Sequence, residues 1–256
     1  MEYNAIELMI CSASHALEDG KTAVVGTGIP CAVAMLAQRT HAPNLVVMFE
    51  AGGVAPILPT MPISVGDSRT FHRGLMATSM AEIMQFCQRG IIDYTFLGGA
   101  QIDCYGNLNS TVIGPYDKPK VRLPGSGGAC DLASFCWRTL VVTKHDSRRF
   151  CEKLDFLTTP GYLTGPGARE VAGLPANTGP YRVITDLAVM GYHAENRRMQ
   201  VLTLHPGVTL EQVKQNTGFR LEVADSVGVT PAPTKAELEV LRSEVDPHRY
   251  ILGRAL

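Results

Sequence analysis

The sequence lacks the signals that would place the chain in a membrane or against a polyanion. Its 23 Lys and Arg residues are balanced by 24 Asp and Glu residues, so no positive excess is available to neutralise phosphates. No apolar run approaches the ~20 residues that cross a bilayer, and residues 1–12 resemble neither a secretory signal nor a transit peptide. We expect a soluble, cytoplasmic protein with no nucleic-acid or membrane partner.

Motifs for metal binding and for serine hydrolysis are missing as well. The seven histidines show no pair at metal-ligand spacing, and no Gly-x-Ser-x-Gly segment occurs. The seven cysteines are odd in number and widely spaced, without a Cys-x-x-Cys pair. We expect no bound metal, and we expect the cysteines to be buried free thiols in a reducing compartment.

Short apolar segments alternate with stretches of helical periodicity along the first half of the chain. Strands are predicted at 22–25, 45–49, 93–97 and 140–143, and helices at 5–17, 31–39 and 80–89. The strands show no polar alternation, which is typical of a parallel sheet. The order predicts an α/β fold with an open, mainly parallel sheet flanked by helices.

The second half of the chain gives a weaker pattern. Residues 160–180 contain five glycines and predict a long ordered loop. We expect a strand pair over 183–190 and 199–204, with a turn at 195–198, and helices over 210–215 and 235–244. No repeat or linker divides the chain, so the sequence predicts one domain over residues 1–256.

The ends of the first two predicted strands carry the most informative residues. In an open α/β sheet, ligands bind at the carboxyl ends of the strands. Gly26-Thr27-Gly28 follows the first strand, and its backbone N–H groups can approach a ligand closely. Cys31 stands where a dinucleotide fingerprint needs its third glycine, which argues against a nucleotide site of that type.

Glu50 follows the second strand directly and precedes Gly52. A carboxylate in a partly desolvated site can be the nucleophile that attacks an activated acyl group. The residues leave a plainer alternative open, in which Glu50 caps the next helix or pairs with an arginine.

Two further groups of residues offer hydrogen bonds to a substrate. Ser126, Gly127 and Gly128 lie in the densest glycine run and predict a nest of N–H groups that can stabilise an oxyanion, although a tight turn would have the same composition. Gln101 and Asn107 follow the third strand and supply amide groups, as polar turn residues also would.

Ordered motifs along nearly the whole chain resemble the β subunit of glutaconate CoA-transferase, a family I CoA-transferase. They include Gly26-Thr27-Gly28-Ile29-Pro30, Glu50-Ala51-Gly52, Ser64-Val65-Gly66-Asp67, Gly98-Gly99-Ala100-Gln101, Gly125-Ser126-Gly127-Gly128-Ala129 and Glu244-Val245-Asp246-Pro247. The resemblance implies a CoA-transferase-type fold and a CoA thioester as substrate, with no permanently bound cofactor. It also implies an active site completed by a separate α subunit, in an α2β2 or larger complex.

In that family the glutamate of a Glu-Ser-Gly or Glu-Asn-Gly motif is the nucleophile, and it corresponds to Glu50. Ala51 replaces the Ser or Asn, which alters the hydrogen bonding beside a carboxylate that is itself kept. The expected site thus comprises Glu50 as nucleophile, Gly127 and Gly128 as oxyanion donors, and substrate or CoA contacts from Gly26, Thr27, Gly28, Gly52, Gln101, Asn107 and Ser126. Arg69, Arg73 and Arg122 are candidates for a second substrate carboxylate.

Other proteins that resemble this family catalyse other reactions, and these are alternatives for the present chain. Decarboxylases of glutaconyl-type thioesters have a cysteine in place of the glutamate, so Glu50 argues against that reaction. Ring-opening hydrolases of steroid catabolism act on a cyclic CoA thioester, and the dipeptide Glu50-Ala51 does not separate them from transferases. A third alternative is a binding subunit whose partner performs the chemistry. The sequence favours CoA transfer to glutaconate or another dicarboxylic acid, through a covalent glutamyl-CoA thioester on Glu50.

Overall fold

The computed structural model describes residues 2–253, which divide into two units. Unit 1 contains residues 2–96 and 231–253, and unit 2 contains Leu97–Thr230. The single domain expected over residues 1–256 stays a prediction.

Helices and strands alternate in the first half of the chain, and strands predominate in the second. The helices are α1 (Ala5–Ser14), α2 (Ile29–Arg39), α3 (Met80–Gln88), α4 (Ala129–Phe135), α5 (Ala168–Val171), α6 (Leu210–Gln215) and α7 (Lys235–Val240), with a 3-10 turn at Ser68–Phe71 and a π-helical turn at Leu241–Val245. The strands are β1 (Thr22–Val25), β2 (Val46–Phe49), β3 (Gly53–Val54), β4 (Met76–Ala77), β5 (Tyr94–Leu97), β6 (Gln101–Ile102), β7 (Leu108–Asn109), β8 (Val112–Ile113), β9 (Val121–Arg122), β10 (Arg138–Val142), β11 (Pro180–Ile184), β12 (Ala188–Tyr192), β13 (Met199–Leu204) and β14 (Glu222–Val229).

Unit 1 is built on strands in the order β5-β1-β2-β3-β4. The first three are parallel, and Val25 at the end of β1 lies opposite Phe49 at the end of β2. β3 and β4 continue the sheet in antiparallel pairing. β1 and β2 are short apolar runs whose last three residues are buried, as expected within a parallel sheet. The carboxyl ends of β1 and β2 therefore meet at one edge of this sheet.

Helix α2 begins directly after the loop that follows β1. Its N-cap is Gly28 at φ +81°, a conformation that residues with a side chain rarely adopt, and Pro30 lies in the first turn. Residues 31–37 are all fully buried. Because this helix is locked into the core, its N-terminus is held rigidly at the carboxyl edge of the sheet.

Unit 2 is built on strands in the order β14-β13-β12-β11-β10. β10 is parallel to β11 and β13 is parallel to β14, whereas β11, β12 and β13 are antiparallel neighbours. Phe150, Met190, Met199 and Val201 are fully buried members of its apolar core. Together with the parallel strands of unit 1, these pairs confirm the predicted α/β fold with an open, mainly parallel sheet.

One prediction about the second half of the chain is wrong, and one strand there was not predicted. The strand expected over 183–190 is two strands, because Thr185 makes a turn in which its Oγ1 accepts the N–H groups of Leu187 (3.2 Å) and Ala188 (3.1 Å). The sequence pattern also misses β14. Four of its eight residues are apolar, but Asp225 and Gly228, residue types that strands disfavour, interrupt them.

The cysteine prediction is largely confirmed. None of the seven forms a disulfide within residues 2–253; Cys11, Cys31, Cys87, Cys104 and Cys136 are buried, Cys151 is half-buried and Cys130 is exposed. Burial raises the pKa of the Cys31 thiol to about 12, so it packs as a neutral side chain. Among residues 2–253, no helix has the length and apolar character needed to span a membrane.

Candidate active site

Glu50 lies in a tight turn at the carboxyl end of β2. The Gly52 N–H donates to the Phe49 carbonyl (2.9 Å), and Val54 of β3 then pairs with Met48 of β2. Three residues thus reverse the chain, and Glu50 is the first of them. The turn presents this side chain at the edge where the parallel strands end.

Two glycines allow another segment to pack directly on the Glu50 turn. Gly52 has φ +113°, and a Cβ atom there would overlap the Thr78 carbonyl oxygen. A Cβ atom on Gly53 would overlap the Thr70 carbonyl oxygen. The Thr78 N–H also donates to the Gly52 carbonyl (2.9 Å). The turn is therefore clamped by backbone from residues 70–78, and only glycine fits at its last position, Gly52, and at Gly53, the first residue of β3.

The Glu50 carboxylate is half-buried and has no hydrogen bond or ion pair within residues 2–253. The alternative in which it caps a helix or pairs with an arginine is therefore not found in the described chain. A half-buried carboxylate without a partner lacks the compensation that such groups usually have, which is typical of a group kept free for a ligand.

The Gly26-Thr27-Gly28 loop lies beside Glu50. Val25 and Phe49 are register partners, so Gly26 and Glu50 are the next residues along two neighbouring parallel strands. In the described part of the chain, the N–H groups of Thr27 and Gly28 have no hydrogen-bond partner. They lie at the positive end of α2, so this loop offers donors to an anionic oxygen at the same edge as Glu50.

The arginines proposed for a second carboxylate have other roles or no contacts. Arg69 binds Asp67 and donates to Thr60 Oγ1 (3.1 Å) and the Met61 carbonyl (2.8 Å). Its guanidinium holds the pKa of the Asp67 carboxyl well below its usual range. Arg122 donates to the Tyr116 carbonyl (3.2 Å). Arg73 is exposed and makes no hydrogen bond among residues 2–253. Arg69 in particular braces a loop and is not available to a substrate.

In unit 2, residues 125–128 form a turn that leads into α4. Ser126 Oγ accepts the Cys130 N–H (3.1 Å), and the Ser126 carbonyl accepts the Ala129 N–H (2.9 Å). Gly127 has φ +50° and Gly128 is the N-cap. No bond to the N–H groups of Gly127 and Gly128 occurs within the described residues. Both are free donors, and their role at an oxyanion stays a prediction.

Gln101 and Asn107 are bonded within unit 2. Asn107 donates to Asp103 (2.8 Å) and the Leu163 carbonyl (2.8 Å), and its oxygen accepts the N–H groups of Gly161 and Leu163. Gln101 donates to Asp155 (3.0 Å) and accepts from the Asn109 amide (2.7 Å). All four hydrogen-bonding positions of Asn107 are used. The geometry gives these residues a structural role and does not support the substrate contacts expected of them.

Two carboxylates that support loops at the edge of the unit 1 sheet were not expected from the sequence, although both lie in the motifs described above. Asp67, in the Ser64–Asp67 motif, braces residues 60–63 through Arg69 and the Ile63 N–H (3.2 Å). Asp246, in the Glu244–Pro247 motif, is 1% exposed and accepts the N–H groups of Tyr250 and Ile251 (both 2.8 Å). No cluster of three or more metal-ligating side chains occurs in the described residues.

The fold and this edge define a class of protein. Residues 6–216 match the family model described as Coenzyme A transferase, and the chain belongs to that family. It is 41% identical to the B subunit of 3-oxoadipate CoA-transferase from Pseudomonas knackmussii, covering 94% of this chain and 93% of the relative. It is 37% identical to the B subunit of glutaconate CoA-transferase from Acidaminococcus fermentans, covering 96% and 93%.

The fold agrees with these sequence relationships. The crystal structure of glutaconate coenzyme A-transferase from Acidaminococcus fermentans superposes with a TM-score of 0.93 at 34% sequence identity, and the match covers 99% of both chains. The resemblance inferred from the sequence motifs is confirmed, and so is the expectation of a CoA-transferase.

Proposed function

We propose that this chain is the B subunit of a CoA-transferase that exchanges CoA between an acyl-CoA and a short dicarboxylic acid, with Glu50 as the covalent nucleophile. The observation that carries the proposal is the half-buried Glu50 carboxylate, which has no partner within residues 2–253 and lies beside the free N–H groups of Thr27 and Gly28. A nucleophile must be both available and positioned, and the turn provides both.

The reaction begins with attack of a Glu50 carboxylate oxygen on the thioester carbonyl. The carbon–sulfur bond breaks, CoA leaves as the thiolate, and a mixed anhydride links Glu50 to the donor acid. The thiolate then attacks the Glu50 carbonyl carbon, the donor acid leaves as its carboxylate, and Glu50 carries CoA as a thioester. The acceptor carboxylate repeats these steps in reverse, so no net hydrolysis occurs.

Each attack places negative charge on a carbonyl oxygen, and fixed N–H groups stabilise that charge. The N–H groups of Thr27 and Gly28 serve this purpose at the Glu50 edge, because they have no other hydrogen bond within residues 2–253. Those of Gly127 and Gly128 are further donors of the same kind in unit 2. Removing one such donor typically costs about 10²–10³ in rate.

The relatives indicate the substrate class and the partner. Glutaconate and 3-oxoadipate, after which the two relatives above are named, are both short dicarboxylic acids. Both relatives are also B subunits by name. We therefore assign an A subunit as the partner of this chain, in a heteromeric complex that contains the complete active site.

The test is Glu50→Gln in the complex with the A subunit, with Glu239→Gln as the matched control. Glu239 is exposed on α7, so its substitution removes a carboxylate far from any proposed role. The amide cannot act as the nucleophile, so Glu50→Gln should abolish transfer while the complex still assembles. Retained transfer in this variant would remove the nucleophile assignment.

The products of the wild-type complex separate a transferase from a hydrolase. A transferase gives one new acyl-CoA for each acyl-CoA consumed, and consumption requires the acceptor acid. Release of free CoA without an acceptor would indicate thioester hydrolysis, and opening of the ring of a cyclic acyl-CoA with CoA still attached would favour the ring-opening hydrolase alternative.

A further inference from the structure

A cavity of about 150 Å³ opens in unit 1 beside the glycine loop that follows β1. One wall is formed by Thr27 and Gly28, another by residues 61–63, and a third by Tyr250 and Ile251. None of these side chains is charged. A site lined in this way accepts a carbon chain readily and does not offer a partner to a carboxylate.

The cavity has a buried floor and an exposed apolar rim. Met61 and Pro62 are buried at its base. At the rim, Ile63 is 72% exposed and Tyr250 is 43% exposed. Large apolar side chains exposed around a concavity are a common mark of a surface that a ligand covers.

Two carboxylates that the proposed chemistry does not use hold the walls in place. Asp67 accepts the Ile63 N–H, and its partner Arg69 donates to the Met61 carbonyl. Asp246 accepts three successive backbone N–H groups, those of Tyr250, Ile251 and Leu252, at 2.8–2.9 Å. The walls are therefore pre-organised, which reduces the cost of ordering them around a ligand.

The cavity is close to the proposed nucleophile. Gly26 follows Val25, the register partner of Phe49, and therefore lies beside Glu50. Gly28 is two residues further along the chain. Two residues span at most ~7 Å. A chain attached to a carbonyl carbon at Glu50 is thus within reach of the cavity mouth.

We propose that this cavity binds the carbon chain of a short acyl group, an inference that rests on the proposed acyl-CoA chemistry at Glu50. A cavity of this volume holds a group of about benzene size, which corresponds to roughly six carbon atoms. It therefore selects short acyl groups and excludes long or polycyclic ones. A carboxylate at the end of the chain has no partner in this uncharged cavity, so the group that it takes is the uncharged chain of the acyl-CoA and not the chain of the dicarboxylic acid.

The test enlarges the cavity with Ile251→Ala, and separately with Ile63→Ala at the exposed rim, where folding is not at risk. The complex with the A subunit is assayed with butyryl-CoA, hexanoyl-CoA and octanoyl-CoA as donors. Ile251→Ala should raise kcat/KM for octanoyl-CoA relative to butyryl-CoA by about tenfold, because a hydrophobic pocket discriminates by this amount per methylene. Ile63→Ala should change the ratio in the same direction by less, because Ile63 is 72% exposed. Ile57→Ala is the control, since Ile57 is 57% exposed and does not line the cavity.

A chain-length profile that stays unchanged in both cavity variants would overturn the inference. Calorimetry on complexes that carry Glu50→Gln, with and without each cavity variant, gives dissociation constants for the same three acyl-CoAs that do not depend on turnover. If the cavity variants alter the chain-length dependence of these constants but the wild-type complex does not transfer CoA, the cavity assignment stands and the proposed function is refuted. If the wild-type complex transfers CoA but the cavity variants leave the chain-length dependence unaltered, the proposed function stands and the cavity assignment is refuted.

Discussion

Glu50 in unit 1 and Asp103 in unit 2 are both carboxylates that directly follow a strand, yet the structure gives them opposite surroundings. Asp103 accepts the N–H groups of Tyr105 (2.9 Å) and Asn107 (3.0 Å) and the Asn107 amide (2.8 Å), and burial raises the pKa of its carboxyl. Glu50 accepts nothing within residues 2–253. One carboxylate holds a loop, and the other, which is the proposed nucleophile, has no partner among the described residues.

Glycines allow close backbone packing next to both carboxylates. In unit 1, Gly52 and Gly53 let the backbone of residues 70–78 clamp the turn that carries a free carboxylate. In unit 2, a Cβ atom on Gly161 would overlap the backbone at Tyr105 and Gly106, within the loop that Asn107 ties together. Close backbone packing is thus shared by both units, and the difference between the two turns is that the carboxylate of Glu50 has no partner among the described residues whereas the side chain of Asn107 is fully hydrogen-bonded.

The largest expected effect comes from breaking the clamp on the Glu50 turn. Gly52→Ala places a Cβ atom against the Thr78 carbonyl and must displace the turn. A displacement of about 1 Å at a reacting group costs about 10² in rate, so kcat should fall by that factor or more. Gly20→Ala is the control, because Gly20 has φ +71° but no atom within 4 Å of the added Cβ. Equal losses of kcat in both variants would show that backbone strain, not the clamp, is responsible.

The next effect compares the two carboxylates by stability. Asp103→Ala leaves three donors without their acceptor and should lower the free energy of unfolding by about 3 kcal/mol. Glu50→Ala removes no hydrogen bond and should change it by less than about 0.5 kcal/mol. Urea denaturation measures both. A large loss of stability for Glu50→Ala would mean that its carboxylate has a structural partner after all.

A smaller effect extends the comparison to pH. His145 in unit 2 is bonded to Thr185 Oγ1 (3.1 Å) and Thr217 Oγ1 (3.0 Å), and burial lowers its pKa to about 4, against the opposing effect of Asp186 and Asp146. The unfolded chain binds this proton more readily, so the stabilisation is present above pH 6.5 and is lost as the pH falls towards 4.

Between pH 7 and pH 5, His145 should account for a loss of about 2 kcal/mol in the free energy of unfolding. His145→Gln should remove most of that dependence while lowering stability at pH 7. If the variant and the parent lose the same stability between these pH values, His145 is not the group that titrates.

The sequence predicts unit 1 better than unit 2 for a physical reason. Residues 22–25 form β1 as predicted, because an uninterrupted apolar and β-branched run has few alternatives. Residues 183–190 contain a similar run, but the Thr185 hydroxyl accepts two backbone N–H groups and so forms a turn inside it. The hydropathy of the sequence gives no sign of these hydrogen bonds. The apolar residues of β14 are interrupted by Asp225 and Gly228, residue types that strands disfavour.

Some residues of the candidate site are also identified by the sequence, and others are not. The positions of Glu50, Thr27 and Gly28 after strands identify them in the sequence, and the parallel register of β1 and β2 brings their segments together. Gln101 and Asn107 also follow a strand, and their polarity alone does not show that their hydrogen bonds are made inside the chain. Whether a polar group has a partner is a property of the fold, and the sequence does not display it.

The most direct test of Glu50 as the nucleophile is to trap its covalent thioester. The complex with the A subunit is exposed to an acyl-CoA such as glutaryl-CoA, reduced with borohydride, and digested for peptide mass spectrometry. We expect the peptide that contains Glu50 to carry the alcohol formed by reduction of a thioester, and we expect no such alcohol in the Glu50→Gln variant. An unmodified Glu50 in a complex that consumes the acyl-CoA would contradict this expectation.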